Sequence, residues 1–517
     1  MADWREKLRR IRDRISGRTG KSTAAKTAPP EPPAPQARAP KLASPEPPAP
    51  RVDAPKAPSR PSPDSKVAST PPRDVGINLG IDFGTSFTKV CFRDIGAEES
   101  GIVAVGKAKG EALLPSVVVL GDGGQLFLGD DAASVRRPIE ISYLKMRLAG
   151  TPIGDELPTF DGIDLNSATY IRALAAWFLA SVILRSQEWM RKSEKDRLRN
   201  RTPVWSANVG VPVEHYDSDL LKVFEEVLGV AWQWVKNAKI PATIQDAVSE
   251  YVPAAQSLAE QITDFHAVPE IAAAVQSFVM SREAVPGFYV YFDIGGGTVD
   301  GVAFKYLNYS GERRINFYSG KVAALGVSAI GASIAGAGCT GLDVTKLEAL
   351  LKRCSLRTES HLVTEVRRLV GKVVMEAKRK DPSNWQQDSF QTADYNRIFV
   401  GSLSRSRMRP LVVFIGGGGS KSEWYRHSIE STYTAFQHHN AGIPPYKLLE
   451  VPPPSDLALD ADRDGEFIRF AISYGLSIPM GEGPEVGLPS QFQEAELPRR
   501  WTPPGAVDYA DSKDVYG

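Results

Sequence analysis

The sequence predicts an α/β protein folded as two lobes that face each other across a cleft, and three observations carry that prediction. Apolar runs of strand length alternate with longer amphipathic stretches over about residues 76–480. Three glycine turns each hang on an apolar strand: Gly80-Ile81-Asp82-Phe83-Gly84-Thr85-Ser86, Phe292-Asp293-Ile294-Gly295-Gly296-Gly297-Thr298-Val299-Asp300, and Val413-Phe414-Ile415-Gly416-Gly417-Gly418-Gly419-Ser420. Two of them place an aspartate at the strand end, just before glycines and a hydroxyl residue. Glycine lets the backbone turn tightly and bring N–H groups against an anion. The aspartate offers a hard oxygen to Mg²⁺ or its water shell, and Thr or Ser adds a hydroxyl donor. Singly, each turn reads more readily as a plain strand–turn junction, with the aspartate of the first two as a turn cap. Together they read as a magnesium–phosphate clamp carried on both lobes.

Composition sets the bounds. A chain of 517 residues can hold two or more lobes with full cores. Apolar and charged contents of 42% and 24% are those of an ordinary globular protein, and a net charge of +1 gives no electrostatic ground for a nucleic-acid partner. Cys91, Cys339 and Cys354 are odd in number and lack CxxC spacing, which predicts neither disulfide nor zinc and fits a reducing, cytoplasmic setting. The opening Met1-Ala2-Asp3-Trp4 leads into charges rather than an apolar core, which speaks against a secretory signal. The longest apolar stretch, Ala173 to Leu184, is too short to span a bilayer and reads as a buried helix. The six histidines show no metal-ligand spacing, and Gly-x-Ser-x-Gly is missing.

Residues 1–16 place Trp4, Leu8, Ile11 and Ile15 on one face of a basic amphipathic helix. That helix reads either as a short solvated one or as an anchor for a partner groove or an anionic membrane surface. Residues 17–75 read as a disordered Pro/Ala-rich linker, with sixteen prolines between residues 29 and 72. Lobe I is expected over about 76–285 and lobe II over about 286–480. Residues 481–517 read as a poorly ordered tail, with Trp501 and Tyr509 either as docking residues or wrapped onto their own domain.

Within the lobes, Ile77–Asp82 and Thr88–Phe92 predict a hairpin around the first turn, and Leu113–Leu120 and Leu126–Leu128 further strands. A long helix is expected over 168–198, a strand at Ser206–Val211, a helix at Asp219–Val227, and a helix beginning near Pro253. Tyr289–Phe292 and Val299–Tyr306 frame the second turn. Helices follow at 345–353 and 360–380, then a strand at 411–415, a helix at 421–437 and a last helix at Glu466–Ile478.

The order of the three turns resembles the actin/Hsp70/sugar-kinase superfamily over about residues 75–480, and the details are most similar to the Hsp70 ATPase domain. Gly80 to Ser86 resembles Gly-Ile-Asp-Leu-Gly-Thr-Thr, and Phe292 to Asp300 resembles Asp-Leu-Gly-Gly-Gly-Thr-Phe-Asp. The resemblance implies a two-lobed actin-like (ribonuclease H-like) ATPase fold with a nucleotide cleft, taking ATP and Mg²⁺. It implies that Asp82 and Asp293 hold the hydrated metal, that Gly84, Thr85, Ser86, Gly295, Gly296, Gly297 and Thr298 hold phosphates, and that Asp300 orients water or metal. Leu114-Pro115-Ser116-Val117-Val118 looks like a Thr-Pro-Ser-x-Val strand of that domain. Leu144 to Gly150 resembles its Ala-Lys-Arg-Leu-Ile-Gly segment, so Lys145, with Arg147 as substitute, is expected at the γ-phosphate; a surface lysine is the alternative. Ser249 to Ala255 resembles the first lobe connection, whose glutamate positions the attacking water; this implies that role for Glu250. The small-residue run Ala324 to Gly338 sits where the second connection belongs.

Met375 to Lys380 looks like the helix that packs adenosine, implying Glu376 on the ribose and Arg379 on the base; the alternative is a solvated helix face. Gly416, Gly417, Gly418, Gly419 and Ser420 would pass beneath the nucleotide. Arg469 to Leu476 resembles the helix that closes the domain. The β-sandwich of a full Hsp70 is not expected after it. The function implied is an Hsp70-like ATPase, chaperone-like, that switches contact with a protein partner or client. A sugar-type kinase, an actin-like filament protein and a non-hydrolysing ATP-bound scaffold are the alternatives.

Overall fold

The computed structural model describes residues 73–153, 156–258, 264–281, 284–336, 342–383, 385, 410–438, 442–458 and 466–495. The expected basic helix over 1–16, the linker up to residue 72, and Trp501 and Tyr509 lie outside the described residues. Two α/β lobes follow, each built on a mixed sheet.

In lobe I, β1 (Arg73–Phe83), β2 (Phe87–Asp94) and β3 (Glu99–Val103) form an antiparallel meander. The first strand thus starts inside the expected linker. Val75 to Phe83 are buried without interruption, as a central strand covered on both faces requires. The expected strand Leu113–Leu120 is split into β4 (Leu114–Pro115), which pairs with β2, and β5 (Val118–Leu120), which joins β6 (Leu126–Leu128) and β7 (Ile139–Ile141) in a small separate sheet. After α1 (Leu144–Leu148) comes the hairpin β8 (Thr159–Phe160) and β9 (Ile163–Asp164). The long expected helix breaks at Glu194 into α2 (Ala168–Ser193) and α3 (Lys195–Leu198). By length and composition α2 could cross a membrane, but 61% of its apolar window is buried, and α2 packs on the two long helices that follow β10.

β10 (Arg201–Val211) leads through Pro212 into α4 (Val213–Tyr216), α5 (Leu220–Lys236) and α6 (Ile244–Ser257). The helix expected to begin near Pro253 begins nine residues earlier. Thr243 caps it, its hydroxyl accepting the Asp246 N–H at 3.2 Å and donating to the Asp246 carboxylate at 2.8 Å, so Pro253 falls inside. β11 (Phe265–Pro269) then pairs parallel with β10, giving the order β11-β10-β1-β2-β3. It hands over to α7 (Glu270–Ala274) and α8 (Gln276–Met280).

Lobe II repeats the plan. β12 (Gly287–Ile294), β13 (Val299–Tyr309) and β14 (Glu312–Ala323) make the antiparallel meander. α9 (Val327–Ala335), α10 (Val344–Leu351) and α11 (Leu356–Lys380) lead to β15 (Leu411–Gly416), parallel to β12. The helix expected at 421–437 is broken at Ser431 into α12 (Glu423–Glu430) and α13 (Thr432–His438). β16 (Tyr446–Leu449) completes the order β16-β15-β12-β13-β14, the same sequence of strands as in lobe I. β17 (Leu457–Ala458) returns to β3.

The last helix, α14 (Phe467–Ser477), lies on β1, β2 and α7. A Cβ on Gly80 would stand 2.2 Å from the Ser473 carbonyl oxygen, and one on Gly475 only 1.9 Å from that of Ala273. The close helix crossing between the lobes is therefore α7 on α14. The run 324–338, expected there, instead contributes α9, beside the second glycine turn. One hydrophobic core passes under this crossing, joining Ile271 and Phe278 to Tyr289 and Phe304 of lobe II. The chain remains ordered beyond the point where a loose tail was expected. β18 (Glu485–Gly487) pairs parallel with β14, because a sheet edge can order a segment too short and polar to announce itself.

Gly475→Val should lower stability by about 3 kcal/mol, since the new side chain meets backbone rather than a mobile group. Urea unfolding at constant m-value reads this out; an unshifted midpoint would mean that the two helices can part at no cost.

Candidate functional site

The strand registers bring all three glycine turns to one place. Asp82 lies near the end of β1, opposite Lys89 of β2. Asp293 near the end of β12 lies opposite Asp300 of β13 on one side and beside Gly416 of β15 on the other. The Gly295 N–H donates to the Thr298 carbonyl at 2.9 Å and closes the second turn. The first and second turns touch across the lobes: a Cβ on Gly296 would stand 1.9 Å from Ser86 Oγ, and one on Gly297 2.4 Å from Thr85 Cγ2. The third turn presses on the second. Gly417 has φ +78°, and a Cβ there would stand 2.5 Å from the Ile294 carbonyl oxygen. The Gly419 N–H donates to that same oxygen at 2.9 Å, and the Ser420 hydroxyl donates to the Gly417 carbonyl at 2.8 Å. A Cβ on Gly418 would meet nothing within 4 Å, so this stretch of backbone faces open space.

Around the turns stand four acids, Asp82, Glu270, Asp293 and Asp300, and two lysines. Lys89 pairs with Asp82, and Lys145 of α1 pairs with Glu270 at the start of α7; Asp82, Lys145, Glu270 and Asp300 are nearly fully buried, Lys89 and Asp293 partly so. Asp300 is buried with Oδ1 lacking a hydrogen-bond partner, and so is the hydroxyl of Ser328. Desolvation, with further repulsion from Glu270, holds the Asp300 carboxyl well above the usual carboxylate range. Asp293 is pushed up to about 7, by desolvation first and by Asp82 and Glu270, against the pull of Lys89 and Lys145. Glu270 is raised by burial, although Lys145 opposes this. For Lys145, burial favours the neutral amine, and Glu270, Asp300 and Asp82 more than offset it.

This surplus of carboxylate fits a bound cation, which would offset the charge that Lys89 and Lys145 leave unbalanced. Among the described residues no group of three or more His, Cys, Asp or Glu could hold a metal on its own. A cation that keeps several of its waters and is bound through one or two carboxylates together with an anion needs no larger cluster.

A pocket of about 310 Å³ opens where β14 ends next to the second turn. Its lining includes Glu214, Lys321, Leu325, Glu365, Arg368 and Lys372. Glu376 and Arg379 do not line it. Glu376 is held by Lys321 and Lys380 at 3.0 Å each, and Arg379 donates to Glu494 at 2.8 Å. Of the α11 residues that line the pocket, Glu365 and Arg368 lie about three turns nearer the helix start than Glu376 and Arg379, on the same helix face.

Glu250 is exposed on α6, which packs on α2 and α5. The glutamate among the acids is Glu270. Its signal was present, since Glu270-Ile271-Ala272-Ala273-Ala274 has the acid-before-small-residues pattern sought at Glu250. Lys89 was also missed; its signal is its place across the hairpin from Asp82. Lys145, rather than Met146, faces the acids, and Met146 Sδ packs against Gly297 instead.

Because the Asp293 carboxyl is raised, the stability of its protonated form is complete below pH 4 and is lost as pH rises through about 7. Asp293→Asn should therefore be more stable than the parent at pH 8, with the difference closing toward pH 5; equal melting temperatures across that range would show that Asp293 ionises freely. Compared with protein-family models and with curated proteins, the sequence matches none.

Proposed function

We propose that this chain is an ATP-binding protein of the actin-like (ribonuclease H-like) fold, an Hsp70-type ATPase that closes its lobes on Mg²⁺–ATP and so switches contact with a protein partner. The observation that carries this reading is the meeting of three glycine turns, two from opposite lobes, around Asp82, Glu270, Asp293 and Asp300. The shared strand order of the two sheets supports it.

On this reading, backbone N–H groups at Thr85, Ser86 and Gly295–Thr298 receive phosphate oxygens, and Gly418 leaves room beneath them. Mg²⁺, entering with the phosphates and held through Asp82 and Asp293, would supply neutralisation of phosphoryl charge. Lys145 and Lys89 add fixed positive charge where negative charge develops. Glu270, oriented by Lys145, accepts a proton from the attacking water. Asp300, protonated by its surroundings, holds a hydrogen-bond donor toward that water or the phosphate. The pocket takes the nucleoside, with the Glu365 carboxylate accepting from ribose hydroxyls and the Arg368 guanidinium lying on the base.

The test is nucleotide affinity and ATP turnover of the full chain, with and without Mg²⁺. Asp293→Ala should abolish the Mg²⁺-dependent part of the affinity. Glu270→Gln should keep affinity within about threefold and lower turnover about a hundredfold or more. No binding of ATP by the parent chain would overturn the reading.

A further inference from the structure

The lobes also meet at α4, a single turn of lobe I that rests on β14 of lobe II. Val213 is buried there, and a Cβ on Gly320 would stand 2.9 Å from its Cγ1. The neighbouring Glu214 lines the pocket beside Arg368 and Lys372, and its Oε2 accepts the Val322 N–H at 2.7 Å. At the other end of α4, Asp217 receives two hydrogen bonds from Ser490, from N–H at 2.7 Å and from Oγ–H at 2.6 Å.

Ser490 belongs to a segment otherwise fastened to lobe II. Upstream of it, β18 extends the sheet beside Arg314–Asn316. Downstream, the Phe492 ring stacks on Tyr318 at 4.6 Å, and the Ala495 N–H donates to the Arg379 carbonyl at 2.9 Å. So α4 belongs to lobe I and yet is gripped by lobe II at both ends.

We propose that α4 is a clasp holding the lobes closed over bound nucleotide, in which Glu214 is a positioning residue tying closure to occupancy of the pocket and the Ser490–Asp217 contact keeps α4 seated. This rests on the reading of the pocket as the nucleoside site. Both contacts are hydrogen bonds to a carboxylate at the protein surface, strong enough to bias an equilibrium and weak enough to open. A contact made only in the closed state favours that state by its own free energy, and a ligand that also needs the closed state gains affinity from it. The route from the C-terminal segment to the pocket is one helical turn long.

The test uses the full chain and two readouts. Hydrogen exchange of the Val322 amide needs no nucleotide and reports the clasp directly. Release of a fluorescent ATP analogue, followed by stopped flow, reports its effect on the ligand. Glu214→Ala, which loses one charge-assisted hydrogen bond, and Asp217→Ala, which loses two exposed ones, should each speed Val322 exchange about tenfold or more and speed release by a similar factor. Glu214→Gln, which keeps an acceptor, should restore most of both. Adding Ser490→Ala to Asp217→Ala should change little more, because both remove one contact. Parent-like exchange and release in Asp217→Ala would overturn the clasp. Faster exchange with parent-like release would overturn its coupling to nucleotide. A parent chain that binds no nucleotide, with exchange responding as expected, would instead remove the reading of the pocket.

Discussion

Of the places where backbone passes backbone or a short side chain too closely for any Cβ, four set the arrangement of the lobes and turns. Gly296 on Ser86 and Gly297 on Thr85 join the lobes at the turns; Gly417 on Ile294 seats the third turn against the second; Gly475 on Ala273 crosses the helices beneath. Because each turn ends a strand, drawing the turns together also draws together what the strand ends carry, and those residues are acids. The carboxylates are therefore not grouped by attraction. They are forced close together, three of them buried, by steric fit elsewhere, and Lys89 and Lys145 offset only part of the cost. The raised Asp293 and Asp300 carboxyls follow from that imbalance.

How much of this could be read beforehand depended on whether the information was local. The turns were legible because glycine, acid and hydroxyl are covalent neighbours there, and the registers that unite Asp82 with Lys89 and Asp293 with Asp300 follow from hairpins of fixed length. Glu270 was not, because acid-before-small-residue patterns occur at Glu250 and at Glu270, and only the parallel seating of β11 beside β10 brings the second one inward. Thr243 decided the matter at the first, by starting α6 early enough that Glu250 points to solvent. On α11 the periodicity identified a face but not a height along the axis. Glu376 and Glu365 share that face, and what separates them is the end of β14, which fixes where the pocket lies. β18 was illegible in the strict sense, since three residues acquire strand geometry only from the edge they meet.

The distribution of contacts between the lobes bears on how they could move. Beneath the turns the lobes share one apolar core through α7 and α14, and the closest approach there is helix backbone on helix backbone. Parting the lobes at that level would expose apolar area and is correspondingly costly. Toward the pocket the contacts change character: Glu214 with Val322 and Asp217 with Ser490 are polar and exposed. Such contacts belong to the low-stability end of a fold, where local opening needs little free energy. A hinge at the α7–α14 crossing with its opening at α4 is the motion this gradient permits. The acids stand with the crossing on one side, through Glu270 at the start of α7, and with β14 on the other, where Asp300 lies opposite Val322.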